Sequence, residues 1–185
     1  ELQMKLPFTS KTLAAAVAVA LGASIASSPS VAVNHSDDGL GEVGLVSYYT
    51  TRSDFVTQLS IVNTSDELVV AVKIRFRETD NTRDARDFVI FLSPNDVWTG
   101  AVVMGDDGET PVLRTFDRSC TAPALLPVEG SPDGGEVKFT NSDYVTESND
   151  NNFPSDGGDE GIERTQDGHV EIFVMGVDIP EGGAN

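Results

Sequence analysis

Five cations crowd into one short stretch of this chain: Lys73, Arg75, Arg77, Arg83 and Arg86. On a strand, Lys73, Arg75 and Arg77 would project from one face about 6.5–7 Å apart. Such a stripe can receive an acidic partner, a sulfated sugar or a lipid phosphate. It can also pair with acidic neighbours across strands and guard an exposed sheet against edge-to-edge association. The chain carries 30 Asp and Glu against 12 Lys and Arg, a formal charge of -18. In that setting local pairing is the expectation. The same excess argues against nucleic-acid binding, which needs a net basic surface to neutralise phosphates.

A second group of chemistry-bearing residues lies in the acidic, Gly-rich run 141–168, where Asp150, Asp156, Asp159 and Glu160 are candidate calcium ligands. Calcium takes six to eight oxygens, but the spacing here matches no EF-hand loop or nonapeptide repeat. A long acidic loop without structure is the expectation for this run. Cys120 is the single cysteine, and the histidines are His35 and His169. One Cys and two His exclude a disulfide framework and a His/Cys zinc site. A catalytic thiol would need a base; His35 falls in a segment expected to be mobile, and His169 opens a strand. Trp98 is expected in the core, and the alternative is a sugar-stacking platform with Tyr48 and Tyr49. Asn34 and Asn63 begin glycosylation sequons.

There is no G-x-S-x-G elbow, phosphate loop or dinucleotide fingerprint. Paired carboxylates for sugar hydrolysis are a matter of geometry that sequence alone does not give. No catalytic, cofactor-binding or metal residue is therefore assigned, no cofactor is expected, and the chain is read as non-enzymatic.

The elements that must position these residues follow a period of two from Gly41 onward. Strands are expected at 44–50, 54–62, 67–78, 87–92, 97–104, 111–116, 136–140 and 169–177. In 67–78 the residues Leu68, Val70, Val72, Ile74 and Phe76 share the inward face, and Lys73, Arg75 and Arg77 the other. The strands 54–62 and 67–78 are expected to form a hairpin through Asn63-Thr64-Ser65-Asp66. Residues 87–92 are apolar on both faces and read as a strand covered on both sides. About eight short strands without a helical pattern predict an all-β, antiparallel two-sheet sandwich of immunoglobulin-like type, with a jelly roll as the alternative. The sandwich domain is expected over 43–178, after a flexible segment 33–42.

Ahead of it, residues 1–32 read as a secretory signal peptide. Lys5 and Lys11 precede the short apolar run Leu13–Leu21, and small residues lead to Ser30-Val31-Ala32. Cleavage after Ala32 fits best, and after Ala26 second. Glu1-Leu2-Gln3 precede the first Met and read as upstream residues. Cleavage at Ala32 removes Glu1, Lys5 and Lys11, so the mature charge becomes -19. The mature segment holds no run long enough for a stable membrane span. The tail 179–185 reads as a loop, either a natural end or the break in a longer parent chain that would supply a partner for Cys120.

The stretch from Gly44 to Cys120 resembles uncharacterised exported bacterial surface or envelope proteins. The residues that carry the resemblance are Tyr48-Tyr49-Thr50, Ile61-Val62-Asn63-Thr64, Val72-Lys73-Ile74-Arg75-Phe76-Arg77-Glu78 and Leu92-Ser93-Pro94-Asn95-Asp96-Val97-Trp98-Thr99. The resemblance implies a secreted or envelope protein and no known activity. The functional expectation is a secreted or cell-surface adhesion, assembly or binding module in the periplasm, at the cell surface or outside the cell, with another envelope protein or a surface glycan as partner. A calcium-stabilised or carbohydrate-binding module is the alternative, and a carboxylate-based hydrolase a weaker one.

Overall fold

A computed structural model describes Ser36 and residues 40–128, 131–142 and 156–178. The signal-peptide expectation over 1–32, Asn34, His35, Asp150 and the tail 179–185 lie outside the described residues. The chain divides after Leu40, and the body described below belongs to the unit Gly41–Asn185.

The alternation read in the sequence produces strands. They are β1 (Val43–Thr50), β2 (Thr57–Val62), β3 (Val69–Glu78), β4 (Asp84–Leu92), β5 (Val97–Met104), β6 (Pro111–Thr115), β7 (Cys120–Ala122), β8 (Leu126–Val128), β9 (Ser131–Lys138) and β10 (Asp167–Asp178). They pair antiparallel in two five-stranded sheets, ordered β1-β10-β3-β4-β7 and β2-β5-β6-β9-β8. Two 3-10 turns, Arg52–Asp54 and Ile162–Gln166, are the helical segments among the described residues. The molecule is an all-β, two-sheet sandwich, as the period-two pattern requires.

β3 sits in the middle of the first sheet, between β10 and β4. Its inward residues Val70, Val72, Ile74 and Phe76 are buried, while Lys73, Arg75 and Arg77 on the other face stay partly exposed. Facing them from the second sheet are Leu59, Trp98, Val102 and Leu113. Tyr49 meets Phe76 edge-on with ring centres 5.4 Å apart, and Phe76 lies 4.8 Å from Phe139. Trp98 is fully buried 5.9 Å from Phe88, with its indole folded over Gly100, where any Cβ would collide with the ring.

The expected hairpin between the second and third strands does not form. β2 pairs with β5 from Thr57↔Val102 to Val62↔Val97, and β3 pairs with β10 and β4. The turn residues carry the chain from one sheet to the other, and Asn63 makes the crossing possible. Its buried amide nitrogen donates to the carbonyls of Leu68 (2.7 Å), Ser93 (2.9 Å) and Leu92 (3.2 Å), while its oxygen accepts the Ser65 N–H at 3.1 Å. One side chain thus satisfies backbone groups at the start of β3 and the end of β4, a corner where neither sheet can supply partners.

Other boundaries shift for local reasons. The turn Arg52–Asp54 delays β2 to Thr57, leaving Phe55 and Val56 exposed. β9 begins at Ser131 instead of 136, and the three-residue strands β7 and β8 carry too few side chains to show a period. β4 is also not covered on both sides. Phe88, Ile90 and Leu92 are buried, but Phe91 on the opposite face is 41% exposed.

Candidate binding face and its buried ion-pair anchor

The outer face of the first sheet gathers five of the residues singled out in the sequence, Lys73, Arg75, Arg77, Cys120 and His169. Strand register places Val43, Phe173, Lys73, Val89 and Ala122 in one row across all five strands. On one side of that row lies Ala71–Phe91–Cys120, and on the other Leu45–Glu171–Arg75–Asp87. The face is therefore apolar at one end and charged at the other. Leu45 is 69% exposed, Met175, at the register irregularity of β10, is 61% exposed, and Val43 and Phe91 are open as well. Cys120 is exposed on the edge strand β7.

The cationic stripe is matched across the strands. Lys73 pairs with Asp87, Arg75 with Asp84 at 2.8 Å, and Arg77 with Glu171 at 3.0 Å and Asp84 at 3.5 Å. Hydrogen bonds to Asp84 hold the Arg75 pKa above the ordinary arginine value. His169 stands 3.9 Å from Glu171 at the charged end. Three cations thus meet three carboxylates, so this face is locally neutral and the whole formal charge of -18 falls on the rest of the chain.

Glu78 and Arg164 brace this sheet from inside, and both side chains are fully buried. Arg164 donates from Nε to Glu78 Oε2 at 2.9 Å and from Nη2 to Oε1 at 3.0 Å, a two-pronged pair. The same carboxylate accepts the backbone N–H groups of Asp80 (2.6 Å), Arg83 (2.6 Å) and Asn81 (3.2 Å). Arg164 continues to Asp156 Oδ2 at 2.6 Å and Oδ1 at 3.0 Å, and to the carbonyl of Asp159 at 3.0 Å. Burial alone would raise the Glu78 pKa, but the bonds from Arg164 and the three N–H groups outweigh it and hold the group below the usual range. Hydrogen bonds from Arg164 likewise push Asp156 far down. Asp156 in turn raises the Arg164 pKa well above the ordinary arginine value. The sequence carried a sign of this anchor: Glu78 falls on the inward phase of β3, where an acid must find a cation. Arg164, in a run read as a loop, gave none.

The remaining candidates disperse. Asp156 is held by Arg164 and by Arg83 at 2.9 Å, Asp159 gives its carbonyl to Arg164, and the Glu160 carbonyl accepts Asn141 Nδ2 at 2.7 Å. Among the described residues no group of three or more His, Cys, Asp or Glu stands together as a metal site. The aromatic platform is corrected: Trp98 and Tyr49 are buried and only Tyr48 is open. The Asn63 sequon has its amide nitrogen committed inside the fold. A shallow groove of about 240 Å³ lined by Asp117, Arg118, Ser119, Thr121 and Leu125 holds one carboxylate. That is smaller than the roughly 300–1,000 Å³ of small-molecule sites. Among the described residues no helix is long and apolar enough to cross a membrane. Comparison with protein-family models, with curated proteins and with solved structures gives no match.

Proposed function

We propose that this chain is an exported, non-enzymatic β-sandwich of the bacterial envelope that acts as a binding module, with another envelope protein docked on the outer face of the first sheet. The observation that supports it is Phe91. Residues 87–92 have the composition of a strand covered on both faces, yet within this chain one of those faces is open at Phe91, and Val43, Leu45 and Met175 are exposed elsewhere on the same face of the sheet. Exposed apolar side chains set among paired charges are a usual composition of a protein contact. Local neutrality of the patch lets a partner approach without meeting the charge carried elsewhere. A protein fits better than a glycan, since Trp98 and Tyr49, two of the three rings of the expected stacking platform, are buried.

Two measurements test the reading. Fractionation of cells producing the full chain should find it outside the cytoplasm, and deletion of residues 4–32 should retain it inside. Purified chain should co-sediment with isolated envelopes, and Leu45→Asp with Phe91→Asp should abolish this while the circular dichroism is unchanged. A cytoplasmic wild type sinks the export half, and equal sedimentation of the double variant sinks the binding face.

A further inference from the structure

We infer that β2 is a self-pairing edge, at which two copies of this chain join β2 to β2′ about a twofold axis through Leu59 and merge their second sheets. The inference goes beyond the binding-module reading and concerns the other sheet.

Among the described residues the sandwich has four edge strands, and three of them are blunted. β1 has a register irregularity between Val46 and Tyr49, β7 has three residues, and β8 has three with Pro127 in the middle. Short strands, proline and bulges are the devices that keep sheet edges from pairing. β2 has none of them. It is six residues long, TQLSIV, in unbroken register with β5, with no proline and no charge. In a chain where 23% of residues are charged, an uncharged and regular edge is the place where two acidic molecules can meet.

The backbone of β2 is arranged for this. Asn63 donates its N–H to the Asp96 carbonyl at 2.9 Å, on the β5 side. Hydrogen-bonding direction alternates along a strand, so Thr57, Leu59 and Ile61 turn their backbone groups to β5 and Gln58, Ser60 and Val62 turn theirs to the open side. A twofold axis normal to the sheet keeps inner faces on the same side, so inward residues must lie opposite inward residues. Two central registers satisfy this. Centring on Ser60 sets the polar Gln58 opposite Val62′. Centring on Leu59 brings Val56 opposite Val62′ at both ends. Those valines are 52% and 53% exposed, and cross-strand apolar pairs are favourable. This register also matches Gln58 with Ser60′, giving about eight backbone hydrogen bonds from the open-side residues and their mates.

Sedimentation equilibrium of the full chain in 0.5 M NaCl tests the inference, with heat denaturation as the control for folding. Twice the sequence mass is expected at micromolar concentration. Val62→Lys, and separately Ser60→Lys, should raise the dimer dissociation constant at least tenfold with the unfolding midpoint unchanged. In a Cys120→Ser background, Val56→Cys mixed with Val62→Cys should form a disulfide on mild oxidation, and Gln58→Cys mixed with Val62→Cys should not, since only the directly opposed pair comes close enough. A monomer at all concentrations, or a dimer indifferent to both lysines, overturns the inference, and cross-linking of the second mixture alone overturns the register. An exported monomer that still binds envelopes would remove this inference and leave the binding-module reading standing. A dimer confined to the cytoplasm would do the reverse.

Discussion

Removing the Arg164 side chain beyond its methylenes, as in Arg164→Met, should cost about 3–5 kcal/mol, the usual penalty for leaving one member of a buried ion pair uncompensated. The structure supports the upper half of that range. The lost guanidinium makes two bonds to the fully buried Glu78 and two to Asp156. Against a typical total stability of about 5–15 kcal/mol, the midpoint should fall by about 10–20 °C. Urea unfolding followed by Trp98 fluorescence reads this directly. The apolar double variant Glu78→Met with Arg164→Met is the sharper test. For an ordinary buried pair such a replacement restores stability. Here the N–H groups of Asp80, Asn81 and Arg83 lose their acceptor as well, so the double variant should stay about 1–3 kcal/mol below wild type. Arg164→Met within 1 kcal/mol of wild type, by the same reasoning about buried charge, would refute the anchor.

Acid should act through the same carboxylates. The folded-state pKa values of Glu78 and Asp156 lie below their unfolded values. Their stabilisation is therefore complete above about pH 5 and is lost as pH falls through about 4 and below; urea midpoints from pH 6 to pH 2.5 should fall in wild type and more shallowly in Arg164→Met. Asn63→Ala should cost about 1–3 kcal/mol by stranding carbonyls at the sheet crossing, and glycosylating hosts should leave Asn63 unmodified in the folded chain, readable by intact mass. Gly100→Ala should destabilise by about 1–3 kcal/mol through overpacking against the Trp98 indole, whereas alanine at the open turn residue Ser93 should leave the urea midpoint nearly unchanged. Tyr49→Phe removes the hydroxyl that donates to the Thr165 carbonyl at 3.0 Å and should cost about 1 kcal/mol by thermal melt.

Much of the sandwich could be read because burial imposes a period of two. β3 is clear for that reason: Val70, Val72, Ile74 and Phe76 point inward, and a one-residue slip would have buried Lys73, Arg75 and Arg77. Pairing order was not readable, because a turn such as Asn63-Thr64-Ser65-Asp66 serves a hairpin and a sheet crossing alike. The three carbonyls that Asn63 holds come from residues 5, 29 and 30 positions away, and such convergence is a property of the fold. The cation stripe was identifiable from spacing, but its matching with Asp84, Asp87 and Glu171 required the register of β4 and β10. Arg164 was hidden for the same reason: its partner Glu78 is 86 residues away.

The bond from Asn141 to the Glu160 carbonyl, together with the grip of Glu78 on Arg164, fixes the backbone on both flanks of residues 143–155. Breaking the Glu78–Arg164 pair should therefore speed amide exchange at Gly158 and Arg164 first, ahead of the sandwich strands.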